Sequence, residues 1–267
     1  MLHYRLNKQA RRRKGSRVVL PPIADAPADV AAYLAALRRM LRGPVKEVRE
    51  VIIPWAATER ARRRSAPELR LDAGMPGFAG LANWLIGVAM DMVERVVDLT
   101  ARRHTRRFQE SAQQALGIDI RAVVRDEDLN EYVSTAAARG ASLIRSLSAD
   151  IVQRVEQAVL GNLLNNGSAA DLKKTLTEEF GVADRRAHLI ARDQVAKINA
   201  ELTRVRHQQA GVDDYEWMTS RDERVRPRHR ALDGKRYRYG EKTGAEDGLP
   251  PGRPILCRCI ARGIVQF

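Results

Sequence analysis

Four side chains near the C-terminus have the types and the spacing to do chemistry: Asp222, His229, Cys257 and Cys259. In a strand, alternate residues share a face, so Cys257 and Cys259 would point one way and Arg258 the other. A chain reversal that brings in His229 and Asp222 would complete four ligands for a structural zinc. Zinc cysteines are usually spaced C-x2–4-C, and C-x-C is tighter, so two small buried apolar residues are the competing reading. His229 could also act as base for a Cys257 or Cys259 nucleophile, or share a metal with Asp222 in a nuclease. No Gly-rich nucleotide loop, Walker motif or serine elbow accompanies these residues, so no residue is assigned as catalytic. A packing role is the preferred expectation for most of the segment. Trp217 would anchor a small core, Asp222 would pair with Arg224 or Arg226 or cap a short helix, and His229 would join a polar network. Gly234 would supply a positive φ after Asp233.

The elements that must position this set are mostly helical. Val30, Tyr33, Leu34, Leu37 and Leu41 recur at helical spacing, and Gly43-Pro44 is expected to stop that helix. Residues 45–64 read as a second helix interrupted at Pro54. Pro67, Gly74, Pro76 and Gly77 mark a loop or hinge over residues 65–77. Residues 78–116 carry one long stripe through Leu81, Leu85, Val88, Met92, Val96 and Leu99, closed by Gly117. Residues 126–164 repeat the pattern through Leu143, Ile144, Leu147, Ile151, Val155, Val159 and Leu163, with Asn165-Asn166-Gly167 as its stop. Ser168 and Asp171 then resemble a capping box opening a short helix to Gly181. Asp184 would cap a further helix bearing Ile190, Val195, Ile198, Leu202 and Val205 and ending at Gly211. Beyond it, residues 215–219, 235–239 and 255–265 read as strands, and residues 222–233 as a turn with a short helix. The expectation is a mainly α protein, with a helical N-terminal region and a small α+β C-terminal domain. Its divisions would be a basic flexible arm over 1–27, a helical region over 28–139, in contact with a partner or DNA, and a C-terminal domain over 140–267.

Composition points to an anionic partner. The chain of 267 residues carries 47 Lys and Arg against 33 Asp and Glu, a formal net charge of +14. That excess favours nucleic acid through backbone phosphate contacts. Two clusters are the candidate DNA-binding residues: Arg11, Arg12, Arg13 and Lys14 in the arm, and Arg102, Arg103, Arg106 and Arg107 on the long helix. The second cluster would equally complement a helix C-terminal dipole. Basic clusters without interleaved aromatics do not read as a single-strand platform. Two cysteines make no disulfide framework. The N-terminus lacks an apolar h-region, so no secretory signal is expected, and the apolar stretch from Phe78 to Met90 is too short to span a bilayer.

The C-terminal residues also carry a joint pattern. It comprises Ala191-Arg192-Asp193-Gln194, Gly211, Trp217-Met218-Thr219, Asp222 to Val225-Arg226, His229, Leu232-Asp233-Gly234, Pro250-Pro251-Gly252 and Cys257-Arg258-Cys259. In order and spacing it resembles the phage Mu F-like minor head proteins, also described as phage head morphogenesis proteins, over about residues 140–267. The resemblance implies a minor virion component without established catalysis, acting in head assembly, DNA packaging or DNA ejection near the portal. It implies portal, major capsid or scaffold proteins and packaged double-stranded DNA as partners, and no membrane. Location would be the interior of the virion head, reached from the host cytoplasm during assembly. No appended toxin or enzyme domain is expected after Phe267. No cofactor is implied beyond the structural zinc considered above, and a metal-dependent nuclease or Cys/His hydrolase on Asp222, His229, Cys257 and Cys259 is the alternative.

Overall fold

The computed structural model describes residues 4–65 and 78–267, with the backbone alone for residues 78–85. The hinge expected at Pro67, Gly74, Pro76 and Gly77, and the side chains of Leu81 and Leu85, lie outside the described residues. The elements in chain order are α1 (Leu6–Gln9), β1 (Arg17–Val19), α2 (Pro27–Glu47), a π turn (Val48–Ile52), α3 (Ile53–Ser65), α4 (Phe78–Leu116), α5 (Asn130–Leu164), α6 (Ala169–Gln209), β2 (Asp214–Met218), α7 (Pro227–Arg230), β3 (Arg236–Arg238) and β4 (Ile260–Gln266). The protein is mainly α with a small α+β part, as the periodicities require.

Helix ends follow their local chemistry where the stop signal is complete. Gly117 ends α4 and returns its N–H to the Gln113 carbonyl at 2.9 Å. Ser168 and Asp171 exchange bonds reciprocally ahead of α6: Ser168 N–H donates to Asp171 Oδ2 (2.9 Å) and Asp171 N–H to Ser168 Oγ (3.0 Å). Two expected stops are overridden. Helix α2 continues through Gly43 and Pro44 to Glu47 and passes into the π turn and α3. Proline removes one helical N–H, and a wider turn nearby is a common way to absorb the resulting misfit. Gly181 lies inside α6, which runs unbroken for 41 residues. Asp184, expected to cap a new helix there, instead holds Arg38 in a two-pronged pair at 2.7 and 2.8 Å.

Contacts divide the chain into two compact units. One comprises Ala31–Val93 and Ala137–Ala191 and is helical. Its buried face includes Tyr33, Leu37, Ile52, Val93, Ile144, Leu147, Val155 and Leu172. The other comprises Met1–Val30, Glu94–Ala136 and Arg192–Phe267. It holds an antiparallel sheet in the order β1-β4-β2-β3. Residues 4–26, expected as a flexible arm, are built into this unit. Arg17, Val18 and Val19 pair with Gln266, Val265 and Ile264. Leu6, Leu20 and Ile23 are buried with Phe108, Ile120, Val212 and Val265. The apolar positions of the segment outweigh its basic composition, because they find a preformed surface to cover.

Gly263, in the middle of β4, shows how closely that sheet meets the helices. A Cβ there would stand 2.8 Å from His207 Nε2, and the His207 ring is fully enclosed. Gly263→Ala should therefore destabilise this unit by about 1–3 kcal/mol through overpacking. An unchanged denaturation midpoint would show that the ring can move aside.

Candidate functional site

The signature residues meet in a second, smaller core of Trp217, Leu232, Ala245, Cys257 and Cys259, with Tyr237 packed against it. Trp217 projects from β2 with no exposed surface, and its indole meets the His229 ring edge-on at 5.4 Å. Pro227 opens α7 at its first turn, where a missing N–H costs nothing. That short helix delivers His229, which is buried. Cys257 and Cys259 precede β4 rather than lying within it. They nevertheless face the same partner: His229 Nδ1 is 3.5 Å from Cys257 Sγ and 3.6 Å from Cys259 Sγ. All three donor atoms lie within 4.8 Å of one another.

The expected fourth member does not join them. Asp222 is engaged by the Arg258 guanidinium at both oxygens, one of them at 2.6 Å, and accepts the Arg224 N–H at 3.2 Å. These contacts, the Arg258 hydrogen bond foremost, hold its carboxyl below the usual range. The negative charge of Asp222 is spent on Arg258, the residue between the two cysteines. Arg224 is a partner as expected, at 3.8 Å, but Arg226 is not. Arg226 instead donates to the Ile255 carbonyl at 2.6 Å and lies 3.5 Å from Glu246.

Other residues complete the site, and of these only Glu246 had no place in the sequence pattern. Glu246 accepts from His229 Nε2 at 2.6 Å. Asp193, on α6, accepts the Leu256 N–H at 2.8 Å and the Lys197 ammonium at 2.6 Å. It thereby fixes a turn in which Leu256 has φ +54°, a region a branched side chain rarely adopts. Asp233 accepts from the Thr219 N–H (2.7 Å) and hydroxyl (3.1 Å), which ties the Leu-Asp-Gly turn to the Trp-x-Thr strand. Gly234 has φ +75°, as expected of the turn. Gly252 has φ +78°, and a Cβ there would meet Ala200 Cβ at 2.6 Å, so only glycine fits the approach of this loop to α6.

Electrostatics divide the two thiols. Cys257 is drawn down to about 6 by the Cys259 thiol that donates to it, against burial, and then by the N–H groups of Cys259 and Gly252. Cys259 is pushed up by the same partner and by burial. The site borders a cleft of about 240 Å³ lined also by Arg192, Ser220, Arg224, Arg226 and Arg258. Chemically the set can ligate a soft cation or hold a thiol–imidazole–carboxylate chain of Cys257, His229 and Glu246. Burial of both sulfurs, on one nitrogen, suits ligation better than attack on a substrate.

The expected DNA-contacting clusters fare differently. Arg11, Arg12, Arg13 and Lys14 are exposed. Arg102 pairs with Asp98 at 2.9 Å, and Arg103 with buried Asp29. Arg107 donates to the Ala24 carbonyl at 2.7 Å, and Arg106 is exposed. The cluster does not sit in the last turn of α4, which holds no basic residue, so the helix-dipole role falls away.

This is a mainly α protein bearing a compact α+β unit in which the signature residues lock one another around a His–Cys–Cys centre. Residues 153–262 match the family described as Phage Mu protein F like protein, which bears out over that segment the resemblance drawn from the sequence. A curated, uncharacterized protein of Haemophilus influenzae is 34% identical over 145 residues, covering 54% of this chain and 32% of that protein. The chain thus spans about a third of the length of the relative it matches. No solved structure matches. Among the described residues no helix is long and apolar enough to cross a membrane.

Proposed function

We propose that this protein is a minor head component of a tailed phage or prophage, acting in head morphogenesis, DNA packaging or ejection near the portal. The observation that carries this reading is the Mu F-like match over residues 153–262, whose motif residues are spent on one another as scaffold. Its partners would be portal, major capsid or scaffold proteins. The +14 charge fits close quarters with packaged double-stranded DNA through phosphate contacts without base readout. Arg11, Arg12, Arg13 and Lys14 are the stronger contact candidates, because two of the four α4 arginines already hold carboxylates.

Binding to random-sequence duplex should then fall steeply with salt, with a log–log slope of about −0.9 per phosphate neutralised. Replacing those four residues by serine should flatten the slope by up to about 3–4. Affinity that holds level from 50 to 200 mM salt would remove the DNA part of this reading. Loss of the protein from purified heads in a knockout phage, with heads assembling normally, would remove the morphogenetic part. The nuclease form of the enzymatic alternative is not favoured, since Asp222 is held by Arg258.

A further inference from the structure

We propose that His229 Nδ1, Cys257 Sγ and Cys259 Sγ are three ligands of a tetrahedral zinc ion whose fourth ligand is an oxygen donor entering from the arginine-lined cleft. The proposal is independent of any role in a phage head.

The spacing of the donors carries it. Zinc bonds of about 2.3 Å to sulfur and 2.0–2.1 Å to nitrogen, at a tetrahedral angle, separate the two atoms by about 3.5–3.6 Å. The observed separations are 3.5 and 3.6 Å, on one nitrogen and for both sulfurs at once. The imidazole is held in the matching tautomer. Glu246 takes the Nε2 hydrogen at 2.6 Å, which leaves the Nδ1 lone pair facing the sulfurs, and such a carboxylate behind a ligating histidine is the usual outer shell of a zinc site.

The sulfurs also sit among N–H donors. Cys259 N–H points to Cys257 Sγ at 3.4 Å. The Trp217 indole N–H is buried in the same small core as Cys259 with no hydrogen-bond partner. A metal-bound thiolate gives that orphaned donor an acceptor. Two thiolates, a neutral imidazole and Zn2+ sum to no net charge, so the centre can be buried without an uncompensated ion.

The fourth position is what separates this site from a closed structural one. Among the described residues no further His, Cys, Asp or Glu joins the group. The cleft beside it is large enough for solvent or a phosphate oxygen, and Arg192, Arg224, Arg226 and Arg258, partly offset by Asp222 and Glu246, leave its wall net cationic. Three protein ligands with an open position is the arrangement that exchanges ligands. A phosphate-type oxygen is the occupant such a wall favours.

The test uses the full chain, reduced, stripped of metal and titrated with Co2+. One equivalent should give thiolate-to-cobalt charge transfer with visible bands of tetrahedral intensity, both lost on adding Zn2+. Cys257→Ser and Cys259→Ser should abolish the charge-transfer signature, and Asp222→Asn should keep it. Glu246→Gln should weaken binding about 10–100-fold. Inorganic phosphate should shift the visible bands. No stoichiometric charge transfer in the unsubstituted protein overturns the site, leaving two thiols hydrogen-bonded to an imidazole. Loss of binding in Asp222→Asn overturns the ligand set, and bands indifferent to phosphate overturn the open position. Should the cysteine variants fail to fold, alkylation of the unsubstituted chain decides: Zn2+ should shield both thiols from iodoacetamide, and shielding of neither refutes the proposal.

Discussion

Replacing Arg206 with leucine should cost the α+β unit about 3–5 kcal/mol, the largest loss expected from a single substitution outside the His–Cys–Cys centre. Arg206 has no exposed surface. Its guanidinium donates to Asp128 Oδ2 at 3.2 Å, Thr105 Oγ1 at 2.8 Å, the Arg125 carbonyl at 2.6 Å and Gln209 Oε1 at 3.1 Å. Asp128 is itself nearly enclosed, its side chain 7% exposed. Leucine fills much of the volume but leaves Asp128 only the Arg125 N–H at 3.1 Å and takes the donor from a carbonyl, and the uncompensated charge sets the size of the effect. Arg206→Lys should lose less, since the charge stays and only the fork geometry goes. Denaturant titration measures both. A leucine variant within about 1 kcal/mol of the parent would show that water reaches Asp128 and that the network is not sealed.

Mild acid should weaken the same unit before its carboxylates respond. His104 and His207 are both fully buried, and burial is the first cause that lowers each to about 3 from 6.5; Arg206, His207 and Arg107 add to the effect at His104. His104 Nε2 meets Thr203 Oγ1 at 2.9 Å, and His207 Nδ1 meets the Tyr239 hydroxyl at 2.8 Å. The sign follows from which state takes the proton. Above pH 6.5 the imidazoles are neutral whether the chain is folded or not, and they add no pH dependence. Below it the unfolded chain binds two protons that the folded chain refuses, so stability falls as pH drops from about 6.5 toward 3. The slope is about 1.4 kcal/mol per pH unit for each histidine. Between pH 6 and 5, before carboxylates contribute, the denaturation free energy should therefore drop by about 2–3 kcal/mol. His104→Gln, which can keep the Thr203 bond, should halve that drop. A midpoint level across the interval would mean the folded unit admits the protons.

The long helices were legible because their signals are local and redundant. The α4 and α5 stripes run for many turns, and Gly117 and Asn165-Asn166-Gly167 supply complete stops. Pro44 and Gly181 were misread as stops because each weakens a helix without ending it, and burial along α2 and α6 outweighs the local penalty. Strand β1 was invisible: three residues inside a basic run acquire strand character only from a partner at the far end of the chain. The same divide holds at the site. His229, Cys257 and Cys259 announce themselves by residue type, and Trp217, Asp233 and Gly234 by their place in the turn and strand pattern. Asp222 was grouped with the ligands by nearness in sequence, whereas Arg258 claims it in space. Glu246 lies in a Gly/Pro-rich loop and Asp193 mid-helix, so only the folded chain shows what either carboxylate holds.

The pairing of Val19 with Ile264 sets a clock on how this protein is made. The segment bearing Leu20 and Ile23 is synthesised long before its strand partner. At about 5–20 residues per second the early segment waits tens of seconds for its place in the sheet. Until then its apolar side chains lack the Val265 side of their core, and β4, once made, offers an unpaired edge until β1 arrives. Forming this sheet requires closing a long loop between β1 and β4, so crowding nascent chains together should favour pairing of β4 between molecules over pairing within one.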